Sequence, residues 1–112
     1  MQIKANFWIE KEGKVVLSSW RVGLLEAIDE TGSISAAASK MGVSYRRAWD
    51  KIHESEERLG KKLVETQTGG AGGGGSLLTP VAVDYIRRFQ ELTEGLNEVI
   101  IERFEIFFPG AE

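Results

Sequence analysis

Polar and apolar positions along this chain predict a hairpin, three helices, a second hairpin and a long final helix. Ile3, Ala5, Phe7 and Ile9 alternate with Lys4, Asn6, Trp8 and Glu10, the period of two that buries one face of a strand. Glu12-Gly13 is a tight-turn pair, and Lys14 to Leu17 supplies the return strand. Val22, Leu25 and Ile28 then recur at helical spacing, with Ser18 or Ser19 placed to cap the first helix and Gly32 to stop it. Ser33 or Ser35 opens a short second helix through Ala36-Ala37-Ala38, whose small side chains let a neighbouring helix come close before Gly42 ends it. Ser44 caps a third helix that carries Ala48, Ile52, Ser55 or Glu56, and Leu59 inward as far as Gly60.

Leu63 to Thr66 and Leu77 to Thr79 flank a glycine-rich run, the pattern of a hairpin with a flexible tip, so a wing is expected over about 63–79. Thr79 as cap and Pro80 at the first helical position open the last helix, expected over about 80–108 with no further proline until Pro109. Such a helix would be roughly 40 Å long, more than the rest of the domain can cover. Ala82, Tyr85, Phe89, Leu92, Leu96 and Val99 step by three and four along it, the spacing of a helix-helix seam. A second copy of the chain is the natural cover, with Leu25 and Ile100 joining Tyr85, Phe89, Leu92, Leu96 and Val99 as candidate interface residues. The fold class expected is mostly α with small β elements, in one domain spanning 1–112.

Composition narrows the function by exclusion. With 42% hydrophobic and 28% charged residues the chain fits a soluble globular class, and no run has the length of a membrane span. The absence of cysteine rules out a disulfide framework, a thiolate metal site and a cysteine nucleophile. His53, the single histidine, has no second ligand type clustered beside it, so no metal or catalytic residue is expected. Gly70-x-Gly72-x-x-Gly75 matches a dinucleotide fingerprint only nominally, because a strand and not a helix follows it, and no cofactor is expected. Glu56-Glu57 reads as a solvated face. The N-terminus lacks the basic start and apolar core of a secretory signal, which leaves a cytoplasmic location as the expectation.

Charge changes this picture, because it is unevenly placed. The whole chain is −3, yet residues 40–62 hold seven basic and four acidic side chains, and residues 63–112 hold three and eight. A local basic patch weighs more toward nucleic acid than the global sign. Within that patch Ala38, Gly42, Val43, Ala48 and Ile52 supply the small contact residue, the turn and the locking apolar positions of a helix-turn-helix. The third helix then presents Ser44, Tyr45, Arg46 and Arg47 in its first turn, where a recognition helix meets the major groove. Arg46 and Asp50 can pair at i, i+4, whereas Arg47 and Lys51 share that spacing with like charges, as suits a phosphate counterion. Ser33, Ser35, Lys40, Lys61 and Lys62 flank this turn as further contacts, and Gly70, Gly72 and Gly73 offer backbone amides from the wing tip. Trp49, beside Ala48 and Ile52, is assigned to the core, and Tyr45 to the DNA side.

From Leu25 to Phe89 the chain resembles the N-terminal domain of the molybdate-responsive regulator family (ModE), itself related to the winged-helix domains of LysR-type regulators. Ser33-Ile34-Ser35, Ala37-Ala38, Val43-Ser44, Ala48, Ile52, Leu59-Gly60, Leu63-Val64 and Leu78-Thr79 follow the LysR-type pattern. Ser44-Tyr45-Arg46-Arg47-Ala48-Trp49-Asp50 and the run from Gly69 to Gly75 resemble the molybdate-regulator branch. The resemblance implies a prokaryotic winged helix-turn-helix, dimeric through its first and last helices, with paired recognition helices on a palindromic operator. Against the family there is a departure: members that sense molybdate carry it on separate C-terminal β-barrel domains that this sequence does not include, so direct molybdate sensing is not expected, and the readings left open are no small-molecule effector, a sensor on another chain, or a different ligand. The partners expected are therefore double-stranded DNA and a second copy, and no membrane. The alternative is a winged helix that binds another protein through its acidic last helix.

Overall fold

The first four helices each begin where a short polar side chain can accept the amides that a first turn leaves open. In the computed structural model, which describes residues 1–67 and 75–110, Ser18 Oγ accepts the Arg21 amide at 3.1 Å to start α1 (Ser19–Thr31). Ser33 does the same for α2 (Ile34–Met41) and Ser44 for α3 (Tyr45–Leu59). Gly42 ends α2 at φ 71°, a left-handed conformation that a side chain would strain, and so makes the sharp turn into α3 possible.

Two antiparallel hairpins complete the domain. Strands β1 (Trp8–Lys11) and β2 (Lys14–Ser18) precede α1, and β3 (Val64–Gln67) and β4 (Gly75–Leu78) form the wing after α3. The first strand is shorter than its alternation predicts. Trp8 pairs with Ser18, and Ser18 is already the cap of α1, so residues before Trp8 have no partner strand to pair with. The wing is fastened at its base: the Ser76 amide donates to Gly32 O at 2.8 Å, and Thr79 donates from its amide to Leu63 O and from Oγ1 to Lys62 O.

The core joins α1, α2, α3, the start of the wing and the last helical region. Leu24, Leu25, Ile28, Ala37, Ala38, Ala48, Ile52, Leu63 and Ala82 are each at most 3% exposed. Ala37 and Ala48 reach 0%, and their methyl-sized side chains let α2 and α3 pack closely. A smaller cluster of Leu17, Val22 and Phe89 ties the first hairpin to the last helical region. Leu25 and Phe89, expected at a subunit contact, thus belong to the chain's own core: at 3% and 5% exposure they have almost no surface left for a second copy.

The long C-terminal helical segment is present, but in two pieces. Thr79 caps α4 (Pro80–Thr93), and α5 (Leu96–Phe107) follows. Glu94 takes an extended ψ of 132° and Gly95 a φ of 81°, which breaks the helical hydrogen-bond ladder between them. Spacing of apolar residues does not register such a break, because the seam pattern resumes in phase at Leu96. None of α5 is buried, and the arm it forms gives the molecule extents of 60 × 28 × 22 Å.

Candidate nucleic-acid interface

The outer face of α3 is where the sequence concentrates charge, and the fold divides that charge into two groups. One group is used up inside the protein. Arg21, reaching across from α1, donates to Glu54 Oε1 at 2.9 Å, to Ser55 Oγ at 2.8 Å and to Lys51 O at 3.0 Å. Lys51 Nζ and the Arg58 guanidinium stand 3.6 and 3.4 Å from the same carboxylate, and Arg58 also donates to Val15 O at 2.7 Å. Arg21, acting first as a hydrogen-bond donor, holds the Glu54 carboxyl below its ordinary range against an opposing effect of burial, with Lys51 and Arg58 adding to it. Apart from this group, Lys40 on α2 pairs with Glu30 at the exposed surface.

The second group faces solvent. Arg46 lies 81% exposed, 3.3 Å from Asp50, as the i, i+4 spacing predicts. Arg47, Lys61 and Lys62 are exposed, and among the described residues no carboxylate pairs with their side chains. Ser33 and Ser44 sit at their helix N-termini with hydroxyl oxygens occupied as caps, Ser35 and Tyr45 are exposed, and Gly70, Gly72 and Gly73 lie outside the described residues. Of the candidate cations, Lys51 departs from expectation. Its side chain turns toward Glu54 and is 29% exposed, so its charge already has a partner and does not stand with Arg47.

Trp49 also departs from expectation. It is 36% exposed, and its ring stacks on that of His53 with centroids 3.6 Å apart, under the Arg46 guanidinium at 5.7 Å. Ala48 and Ile52 fill the interior-facing stripe of α3, and an indole one position further round the helix falls outside it. Glu56, offered by the sequence both as an alternative to Ser55 on the inward stripe and, with Glu57, as a solvated face, turns inward beside the buried Ser55: Oε2 accepts the amides of Leu63 at 2.8 Å and Val64 at 3.1 Å, which fixes the start of the wing to α3. Sequence spacing could have suggested Lys51, Glu54 and Arg58 as neighbours on α3. It carries no signal for the partners of Arg21 or of Glu56, which lie on other elements or on the backbone. Among the described residues, no three His, Cys, Asp or Glu side chains converge to hold a metal ion.

An exposed, capped first turn bearing two arginines, a lysine pair at the far end of the same helix and an adjoining hairpin form one surface suited to a polyanion. The pattern of the bacterial regulatory helix-turn-helix proteins of the LysR family matches residues 21–82. The molybdenum transport protein ModE of Herbaspirillum seropedicae is 48% identical over 69 residues, which are 62% of this chain and 26% of that one. The DNA-binding transcriptional dual regulator ModE of Escherichia coli K12 is 35% identical over 106 residues, covering 95% of this chain and 39% of its own length. The chain therefore spans well under half the length of these relatives. In structure, the DNA-binding domain of BenM, solved with benA site 1 DNA, superposes with a TM-score of 0.58 at 20% identity, over 80% of this chain and 94% of that one. The fold is thus a winged helix-turn-helix of the LysR type, and the chain belongs to the LysR family of bacterial regulatory helix-turn-helix proteins as a homologue of ModE.

Proposed function

We propose that the chain binds duplex DNA with sequence preference and regulates transcription, as a homodimer on a palindromic site. The observation that carries this reading is the outward first turn of α3, where Arg46 and Arg47 stand in solvent while the neighbouring cations Lys51 and Arg58 are held by Glu54. Arg46 and Arg47 read base edges in the major groove, with Ser44, Tyr45 and Asp50 beside them, and Lys61 and Lys62 hold phosphates. Ser33, Ser35, Lys40 and the wing glycines Gly70, Gly72 and Gly73 lie at the edges of the contact. The match of residues 21–82 to the LysR-family helix-turn-helix pattern supports this. The role carried over from the relatives is accordingly DNA binding, and not molybdenum transport.

Dimerisation runs through the C-terminal arm. Leu92, Val99, Ile101, Ile106 and Phe107 are between 46% and 70% exposed, an apolar surface that a second copy would cover. Leu96 and Ile100, half-buried, and Tyr85 adjoin it. Among the described residues no helix is long and apolar enough to cross a membrane, and we assign the protein to the cytoplasm, where its DNA partner is.

Titration of a random duplex at several salt concentrations tests the core of this reading. Affinity that falls steeply with salt is expected, and absence of any salt-sensitive affinity overturns it in favour of a protein-binding winged helix.

A further inference from the structure

Tyr45, Trp49 and His53 are spaced four residues apart along α3 and so share one flank of the helix. That flank leads to a concavity shared by Trp49 and His53 with Lys61 and Lys62. Two acids stand on the same wall: Glu56, engaged with the wing amides, and Glu57, exposed. Trp49 lies in neither apolar cluster, yet it is held in place. Its ring is stacked on His53 at 19° between planes, and the Trp49 carbonyl contacts His53 Nδ1 at 2.8 Å. An indole left about one-third exposed, beside His53 and under the Arg46 guanidinium, forgoes part of the free energy of burial, and one whose position is already set loses little further freedom when something covers it.

The geometry points to Trp49 as a specificity-determining residue that reads the C5 methyl group of thymine in the major groove. This rests on the DNA-binding reading above. With phosphates held at Lys61 and Lys62 and the first turn of α3 in the groove, the stripe between them faces base edges. The thymine methyl is the apolar group displayed there. Deoxyribose carbons, the other apolar surface of a duplex, lie on the backbone and carry no base identity.

The experiment uses the full chain and duplexes it selects from a random pool, with thymines replaced by uracil one at a time. Loss of a methyl covered by Trp49 is expected to weaken binding about fourfold, the worth of burying one such group. Trp49→Ala is expected to bind the thymine and uracil duplexes equally, and Trp49→Phe, which keeps an apolar ring, to retain the preference. Two results overturn the inference: no uracil penalty at any position in the unsubstituted chain, as a deoxyribose contact would give, or the same penalty in Trp49→Ala. Either leaves the DNA-binding reading intact, because that reading fails only if the unsubstituted chain shows no salt-sensitive affinity for any duplex.

Discussion

The carboxylate of Glu56 accepts the backbone amide of Leu63 at 2.8 Å, seven residues further along the chain and on the other side of the turn that ends α3. The same oxygen takes the Val64 amide at 3.1 Å, so one side chain of α3 fixes where the wing departs. Leu63 and Val64 are 1% and 4% exposed, so their amides depend on this carboxylate as acceptor.

Removing that acceptor is expected to be costly. Glu56→Ala should destabilise the domain by about 1–3 kcal/mol, the usual penalty for a buried donor stripped of a charged partner. Urea unfolding measures the loss, and amide exchange locates it: Leu63 and Val64 should exchange faster in the variant. Unchanged protection at both amides would show that the contact does not persist in solution.

Glu54 makes stability depend on pH in a defined direction. Its folded carboxyl is held below the ordinary value of 4.5, chiefly by Arg21, so the folded state favours the ionised form. The resulting contribution is full above 4.5 and fades as pH falls from there through the folded value. With the side chain 34% exposed, about 1 kcal/mol is the scale to expect. Thermal melts of the unsubstituted chain and Glu54→Gln should therefore differ at neutral pH and converge in acid. A gap that widens in acid has the wrong sign for this account.

Arg46 and Lys62 should fail differently when truncated. Arg46→Ala is expected to cost about 1–3 kcal/mol at the base pair it reads and to relax preference there. Lys62→Ala should weaken binding to all sequences alike and reduce the salt slope by about 1. Binding curves on a selected duplex and its single-base variants, each at several salt concentrations, separate the two patterns.

The apolar arm gives a prediction about assembly. Leu92 and Val99 are 59% and 50% exposed in one copy, so glutamate at both should leave the fold of that copy unchanged. If they are covered in a dimer, the double substitution should raise its dissociation constant about a hundredfold or more. Sedimentation velocity with helical content as control measures this. An unsubstituted chain that sediments as a monomer at the same concentration contradicts the dimer.

The features legible in the sequence were those set by neighbours along the chain. Caps at Ser33, Ser44 and Thr79, the left-handed stop at Gly42, the Ala48 and Ile52 stripe and the Arg46–Asp50 pair all depend on residues within one or two turns, and local spacing determines them. Tertiary structure decided which charges and rings remain available. Arg21 is 33 residues from Glu54, yet that contact draws Lys51 and Arg58 into an internal cluster while Arg46 and Arg47 stay outside. Leu25 and Phe89 went to the chain's own core and Trp49 to its surface, because burial depends on which element packs opposite and not on hydrophobicity alone. The break at Glu94-Gly95 is of another kind: the apolar period runs through it uninterrupted, Gly95 is its one local mark in the sequence, and the backbone conformation shows that the last helix is two.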